Sequence, residues 1–194
     1  MVRLGDLAKQ IRGVTYPREE ASAQKKPGYI AILRAGNIHA GEILLDDLIF
    51  VPAARVRPYQ LLRRNDILVA TSSGSLDVVG KAVRVEEDID AGFGAFCKVL
   101  RPNSEVLPDF FAAFFTTQYY RRRVSELASG ANINNLRNKH LDALLMPLPS
   151  RDLQEEFAAT IAVARSMKAN LRTSQAHLND LFWAVQHRAF RGEL

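Results

Sequence analysis

The amino-acid sequence predicts an α+β fold: a mixed α/β domain over residues 1–149, followed by one long C-terminal coiled-coil helix over residues 150–194. Three observations lead there. After Pro149 the chain carries no proline or glycine until Gly192, so nothing interrupts a helix. Within that stretch Phe157, Ala164, Leu171, Leu178 and Val185 recur every seven residues, with Ile161, Phe182 and Ala189 on the interleaved row. That repeat makes a narrow apolar seam which needs a partner helix to cover it. Ahead of it, short β-rich runs alternate with polar turns, and an aromatic face appears between residues 109 and 128.

The elements follow in order. Residues 2–11 place Leu4, Leu7, Ala8 and Ile11 at helical spacing and predict a short amphipathic helix. Residues 13–28, with Pro17, Pro27 and Lys25-Lys26, read as an exposed loop. Residues 29–33 are a β-rich run ending at Arg34-Ala35-Gly36-Asn37, where Gly36 marks a turn or bulge. Residues 42–51 come in apolar bursts that suit strand and turn. The polar turn Arg63-Arg64-Asn65-Asp66 leads into Ile67-Leu68-Val69-Ala70, a buried strand. Thr71-Ser72-Ser73-Gly74-Ser75 is a small polar loop, residues 80–85 an alternating strand, and residues 93–100 a further strand. Pro108-Asp109 opens a helix over 109–128 with Phe110, Phe111, Phe114, Phe115, Tyr119 and Val124 on one broad face. Ser129-Gly130-Ala131-Asn132 form a break, and residues 134–141 a short helix capped by Asn132 or Asn134. Residues 144–148 make a last strand. A helix over residues 152–190 is about 58 Å long at 1.5 Å per residue.

Bulk properties narrow the function classes. At 194 residues and 47% apolar content the chain supports a proper core. No run of about 18 apolar residues exists to span a membrane, and charges at the start leave no signal-peptide core. The chain therefore reads as cytoplasmic, with no membrane partner. The one cysteine, Cys97, sits among apolar neighbours and reads as a core residue. His39, His140, His177 and His187 show no metal-ligand spacing, so no metal site is expected. The net charge is +5; residues 1–150 carry 20 basic against 16 acidic side chains, and residues 151–194 carry 6 against 5. The excess lies in the domain and permits nucleic-acid binding.

No catalytic machinery is legible. The Ser/Gly loop after residues 67–70 lacks the two glycines and the Lys-Ser/Thr at a helix start that define a phosphate loop. Phe93-Gly94-Ala95-Phe96 loosely resembles a methyltransferase cofactor turn, but no Asn-Pro-Pro-Tyr-like run or βαβ alternation accompanies it. Asp66, Asp77 and Glu86 are not spaced as a nuclease metal site, and no Ser/His/Asp arrangement appears.

Two polar stretches stand out instead. Ser72, Ser73 and Ser75 suit backbone or base contact in DNA, or equally a plain hairpin turn. Gly130-Ala131-Asn132-Ile133-Asn134-Asn135-Leu136-Arg137-Asn138-Lys139 concentrates amide side chains and two cations at a break and helix start. Asn can pair bidentately with adenine, and a helix start suits a phosphate; helix capping accounts for one or two of these residues. Arg121-Arg122-Arg123 point apart over about 200° of a helix and cannot share one phosphate. Arg55, Arg57, Arg63 and Arg64 read as phosphate contacts or as solvated surface.

In this order and spacing, several elements resemble the specificity (S) subunits of Type I restriction–modification systems. They are Leu4-Gly5-Asp6-Leu7 with Gly13, then the run from Tyr29 to Ile38 with Arg34, Gly36 and Asn37. Asn65-Asp66-Ile67-Leu68-Val69 follows, with Asn65 where that family commonly has Gly. Ser129-Gly130 with Ile133 and Leu136, Leu148-Pro149 with Leu153-Gln154-Glu155, and Ala189-Phe190-Arg191-Gly192-Glu193-Leu194 complete the pattern.

The resemblance implies a target-recognition domain that reads half of a bipartite site in double-stranded DNA, and a long helix that sets the spacing to the other half. It implies a non-catalytic subunit that docks methyltransferase (M) and restriction (R) subunits. S-adenosylmethionine, ATP and Mg belong on those partners and no cofactor on this chain. The family's usual subunit has two recognition domains and two helices; this sequence has one of each, which reads as a half-length form or a fragment. The DNA-facing residues expected on this reading are Arg34, Asn37, Ser72, Ser73, Ser75, Lys81, Arg84, Asn132, Asn134, Arg137 and Lys139. The seam expected to form a homodimer is Phe157, Ile161, Ala164, Lys168, Leu171, Gln175, Leu178, Phe182 and Val185, with polar Lys168 and Gln175 fixing its register. Two other readings stay open: an interaction module that binds DNA weakly, and a small DNA-modifying enzyme.

Overall fold

Ile67, Leu68, Val69 and Ala70 are all buried. A strand apolar at every position must be covered on both faces, and this one is. The computed structural model describes residues 1–39, 41–128 and 134–193. The chain divides into two compact units, Met1–Arg151 and Asp152–Leu194. In the first unit the elements are β1 (Val2–Arg3), α1 (Leu4–Leu7), β2 (Ala8–Arg12), β3 (Tyr29–Leu33), β4 (Ile38–His39), β5 (Glu42–Ile43) and β6 (Ile49–Pro52). Next come β7 (Ile67–Ala70), β8 (Ser72–Ser73), β9 (Ala82–Arg84), β10 (Ala91–Phe93), β11 (Cys97–Pro102), α2 (Pro108–Phe114) and α3 (Gln118–Ala128). After them follow β12 (Asn134–Asn135), α4 (Asn138–Asp142) and β13 (Leu145–Met146), and the long helix is α5 (Arg151–Phe190).

The central sheet is antiparallel in the order β2-β11-β7-β9. A second sheet, β10-β3-β6, is mixed: β10 runs parallel to β3, and β6 antiparallel to it. Successive residues of a strand face opposite ways. Ile67 and Val69 therefore pack with Leu4, Leu7, Phe111, Tyr120, Val124 and Leu141 from α1 to α4, while Leu68 and Ala70 pack with Leu33, Phe93 and Val99 towards the second sheet. Edge-to-face rings tighten the helical side, with Phe115 and Tyr120 centroids 5.0 Å apart and Phe111 and Phe115 5.1 Å apart.

Asn65 holds φ at 73° in the turn before β7. That left-handed conformation suits Gly best and Asn next, which gives a physical reason for Gly to be common at this place. Gly13 is needed for another reason: a Cβ there would lie 2.1 Å from the Gly94 carbonyl oxygen.

The structure differs from the sequence reading at several elements. Residues 2–11 form a single helical turn and then β2, because Ala8 to Arg12 pair with Lys98 to Pro102 of β11. The strand expected over 93–100 is broken by a turn in which the Cys97 amide donates to the Gly94 carbonyl at 2.8 Å. The helix expected over 109–128 is two helices; Thr117 Oγ1 accepts from the Tyr120 amide at 3.1 Å and caps the second. Residues 134–141 are strand and then helix, so Asn134 sits in β12 rather than at a helix cap. The break expected at 129–132 lies outside the described residues.

The second unit is α5 beyond Arg151. The helix has 40 residues, about 60 Å at 1.5 Å per residue. Taken by itself it leaves Leu171, Leu178, Phe182 and Val185 exposed at 70%, 65%, 62% and 47%. Ala164, Lys168 and Gln175 on the same rows are exposed as well.

Candidate nucleic-acid interface

The two polar stretches singled out in the sequence meet. β8 and β12 pair antiparallel, Ser73 opposite Asn134 and Ser72 opposite Asn135. Ser72 Oγ donates to Asn135 Oδ1 at 2.9 Å. The Leu136 amide donates to the Thr71 carbonyl at 2.8 Å, and Leu136 is fully buried, so the ribbon is anchored in the core. Ser73 Oγ accepts from the Ser75 amide at 3.1 Å, which bends the chain sharply after β8.

Cations gather beside the ribbon. Lys98 Nζ donates to the Leu136 carbonyl at 3.3 Å and to Asn138 Oδ1. Arg12 stands opposite Lys98 across β2 and β11. Arg137 and Lys139 are exposed, and His140 is half-buried next to them. Burial, opposed by Asp142 and reinforced by Arg12, holds the Lys98 ammonium below its usual range. Burial, and then the positive fields of Lys139, Arg137 and Lys98, hold His140 below its ordinary 6.5. Groups disfavoured in their charged form by like charges are relieved by an anion. Gln10 Nε2 donates to the Asn138 carbonyl at 3.0 Å and to Asp142 Oδ1, tying β2 to α4. A cleft of about 570 Å³ continues from Lys9, Gln10 and Arg12 to Arg57, Tyr59 and Gln60.

The other expected residues lie elsewhere. Asn37 is 3% exposed; its amide donates to the Leu44 and Asp46 carbonyls at 3.0 and 2.9 Å, and its Oδ1 accepts from the Arg34 amide at 2.8 Å. Every polar atom of that side chain is spent on the loop, which corrects its expected DNA-facing role. Arg84 is likewise structural: its side chain is 10% exposed, with Nη1 donating to Asp109 Oδ1 at 2.7 Å and Nη2 to Asn65 Oδ1 at 2.6 Å. Arg34 is more open and pairs with Asp47 at 2.9 Å. Lys81 is exposed beside a separate cleft of about 320 Å³ that also borders Asp77, Tyr120 and Arg121. Asn132 and the side chain of Asn134 lie outside the described residues.

Arg121 braces the fold. Its guanidinium donates to the carbonyls of Val79, Leu76 and Asp77 at 2.6, 3.2 and 3.0 Å and clamps the loop after β8. Tyr120 Oη donates to the Gly80 carbonyl at 3.0 Å from the same helix. Sequence reasoning missed Gln10, Arg12, Phe96 and Lys98 as members of the surface; Asn135 and Asn138 lie in the amide-rich stretch it singled out but were not among the residues expected to face DNA. Phe96 was hidden in an apolar run; the polar ones carry no motif, and only strand pairing brings them together.

Among the described residues no group of three or more His, Cys, Asp and Glu side chains is arranged to hold a metal ion, and no helix is long and apolar enough to cross a membrane.

No protein-family model matches the chain. It is 37% identical over 188 residues to the Type I restriction enzyme StySPI specificity subunit of Salmonella potsdam, covering 95% of this chain and 41% of that protein. It is also 37% identical over 188 residues to the EcoKI specificity subunit of Escherichia coli (strain K12), covering 95% and 40%. The fold resembles the crystal structure of the HsdS subunit from Thermoanaerobacter tengcongensis, with a TM-score of 0.61 at 20% identity over all of this chain and 45% of that one. A chain from a structural study of complex assembly in a type I R-M system gives 0.64 at 20% identity, over all of this chain and 46% of that one. The chain thus spans about two fifths of the length of the curated relatives it matches. With such identity along nearly its whole length, the chain belongs to the specificity subunits of Type I restriction enzymes.

Proposed function

We propose that this chain reads one half of a bipartite DNA site for a Type I restriction–modification complex and performs no catalysis itself. The observation that carries this is the β8/β12 ribbon. It sets Ser72 and Asn135 side by side, next to Arg12, Lys98, Arg137 and Lys139. A two-stranded ribbon fits the major groove, hydroxyl and amide groups suit base edges, and the flanking cations suit phosphates. Ser73 and Ser75 belong to the proposed surface, Lys81 beside its separate cleft and Arg34 are proposed as outlying contacts, and Asn132 and the side chain of Asn134, outside the described residues, are proposed as contacts on the sequence alone.

In the same reading methyltransferase and restriction subunits are the protein partners. S-adenosylmethionine, ATP and Mg act on those subunits. The exposed rows of α5 support pairing with a second copy through Leu171, Leu178, Phe182 and Val185, with Lys168 and Gln175 setting register. The same exposed rows favour a second reading, an interaction module that touches DNA only weakly.

Binding to duplex DNA across a salt series, with and without the methyltransferase subunit, separates the two. The recognition reading expects sequence-dependent binding by the chain that weakens steeply with salt. Sequence-independent binding, or binding only with the partner, supports the module. Sedimentation tests the pairing: a dimer that Leu178→Asp with Phe182→Asp converts to monomer is expected, and a monomer at all concentrations contradicts it.

A further inference from the structure

We propose that Phe96 is the apolar base-reading contact of this surface, packing on the methyl group of a thymine in the major groove. The inference rests on the DNA-recognition reading and goes beyond it by assigning the base chemistry.

Phe96 is 71% exposed, although it sits in an otherwise apolar run whose neighbours Phe93, Cys97 and Val99 are fully buried. It occupies the third position of the turn closed by the Cys97 amide on the Gly94 carbonyl at 2.8 Å. The backbone is held firmly: the Phe96 carbonyl accepts from the Thr71 amide at 2.8 Å, the Thr71 hydroxyl at 3.1 Å and the Ser72 amide at 3.1 Å. These donors join the turn to the start of β8, so the backbone of the exposed Phe96 adjoins that of Ser72, whose side chain meets Asn135. Lys98 follows two residues later and reaches the Asn138 side chain.

Single apolar side chains are common on protein surfaces, so it is the place of Phe96 on the turn bonded to β8, together with its exposure, that points to a contact. A single ring on a surface that carries hydroxyls, amides and cations does not make a protein-docking patch. Those polar neighbours suit base edges and phosphates, and the major groove presents one apolar feature among them, the thymine C5-methyl. A phenyl ring beside a groove-filling ribbon matches that feature. The turn fixes the backbone in advance, so binding orders few degrees of freedom.

The test is selection of binding sites from a random duplex pool by the full chain and by Phe96→Ala, with thermal unfolding confirming that the variant folds. The wild-type chain is expected to enrich a motif containing a T·A pair that Phe96→Ala no longer specifies, other positions being retained. Replacing that thymine by uracil in the enriched duplex should weaken wild-type binding about five-fold, within the range for one lost base contact, and leave Phe96→Ala unaffected. The salt slope should be the same for both proteins, since no charge changes. An unchanged motif and equal affinity in Phe96→Ala overturn this inference and leave the recognition reading standing. Fluorescence of 2-aminopurine that rises on binding only with Phe96 present would mean insertion between base steps instead and also overturn it. Failure of the wild-type chain to enrich any motif overturns both.

Discussion

Ser72 and Asn135 face each other across a two-stranded ribbon, with Ser72 Oγ donating to Asn135 Oδ1 at 2.9 Å. The bond uses one lone pair of the amide oxygen and leaves the Asn135 NH2 and the remaining hydroxyl lone pairs able to meet a base edge. It also fixes the amide's orientation. The two side chains are 63 residues apart in sequence, so the surface exists only because the core anchors both strands.

The cations flanking the ribbon should govern salt dependence. Arg137→Ala and Lys139→Ala each remove an exposed charge. Each is expected to weaken DNA binding about equally across sequences and to lower the slope of log K against log salt by about 1. Titration by fluorescence anisotropy at several salt concentrations checks this; an unchanged slope in both variants places the cluster off the DNA.

His140 should make binding depend on pH. Burial and the neighbouring Lys139, Arg137 and Lys98 hold its imidazole below 6.5 in the free fold. Phosphates offset those positive fields, so the bound state takes up protons and affinity should rise as pH falls below about 6.5. Folding stability has the opposite sign. The unfolded chain binds the proton more readily, so the His140 contribution is complete above 6.5 and is lost as pH falls through the lower folded value. His140→Gln should flatten both trends over this window, measured by anisotropy and by chemical denaturation.

Asn65 offers a separation of backbone from side-chain effects. Its φ of 73° favours Gly over Ala, and either substitution loses the acceptor for Arg84 Nη2. Asn65→Gly should therefore be more stable than Asn65→Ala by about 1 kcal/mol, the cost of a left-handed conformation with a Cβ. Equal denaturation midpoints for the two variants would contradict the strain.

Asp66 is fully buried and accepts from Arg101 Nε and Nη2 at 2.7 and 2.8 Å, and from the Arg63 amide at 2.9 Å. Asp66→Ala should destabilise the domain by roughly 3 kcal/mol, the lower end for breaking a buried pair, because Arg101 keeps some contact with water. A shift of less than about 1 kcal/mol would mean the pair is not what holds the turn before β7.

Legibility varied with how local the cause was. β3 and β7 were readable because short apolar runs between polar turns leave little else for the chain to form, and α5 because nothing in it breaks a helix. Residues 2–11 were not, since Leu4, Leu7, Ala8 and Ile11 fit one helix face and also fit a turn followed by a strand. Pairing with β11 decided it. Of the candidate site, Ser72, Ser73 and Arg137 were picked from local chemistry, but their meeting with Lys98 and Arg12 depends on sheet order. Asn37 and Arg84 show the reverse limit. Their residue types suit DNA, yet the fold uses both as internal braces.

The central claim, that the β8/β12 ribbon reads bases, is tested most directly by sequencing modified bases in cells that express this chain with the methyltransferase subunit proposed as its partner. The wild-type chain should direct modification to one defined motif. Ser72→Ala combined with Asn135→Ala should keep the spacing between half-sites and relax the choice of base at one or two positions. The same motif with the same discrimination from the double variant would contradict the claim.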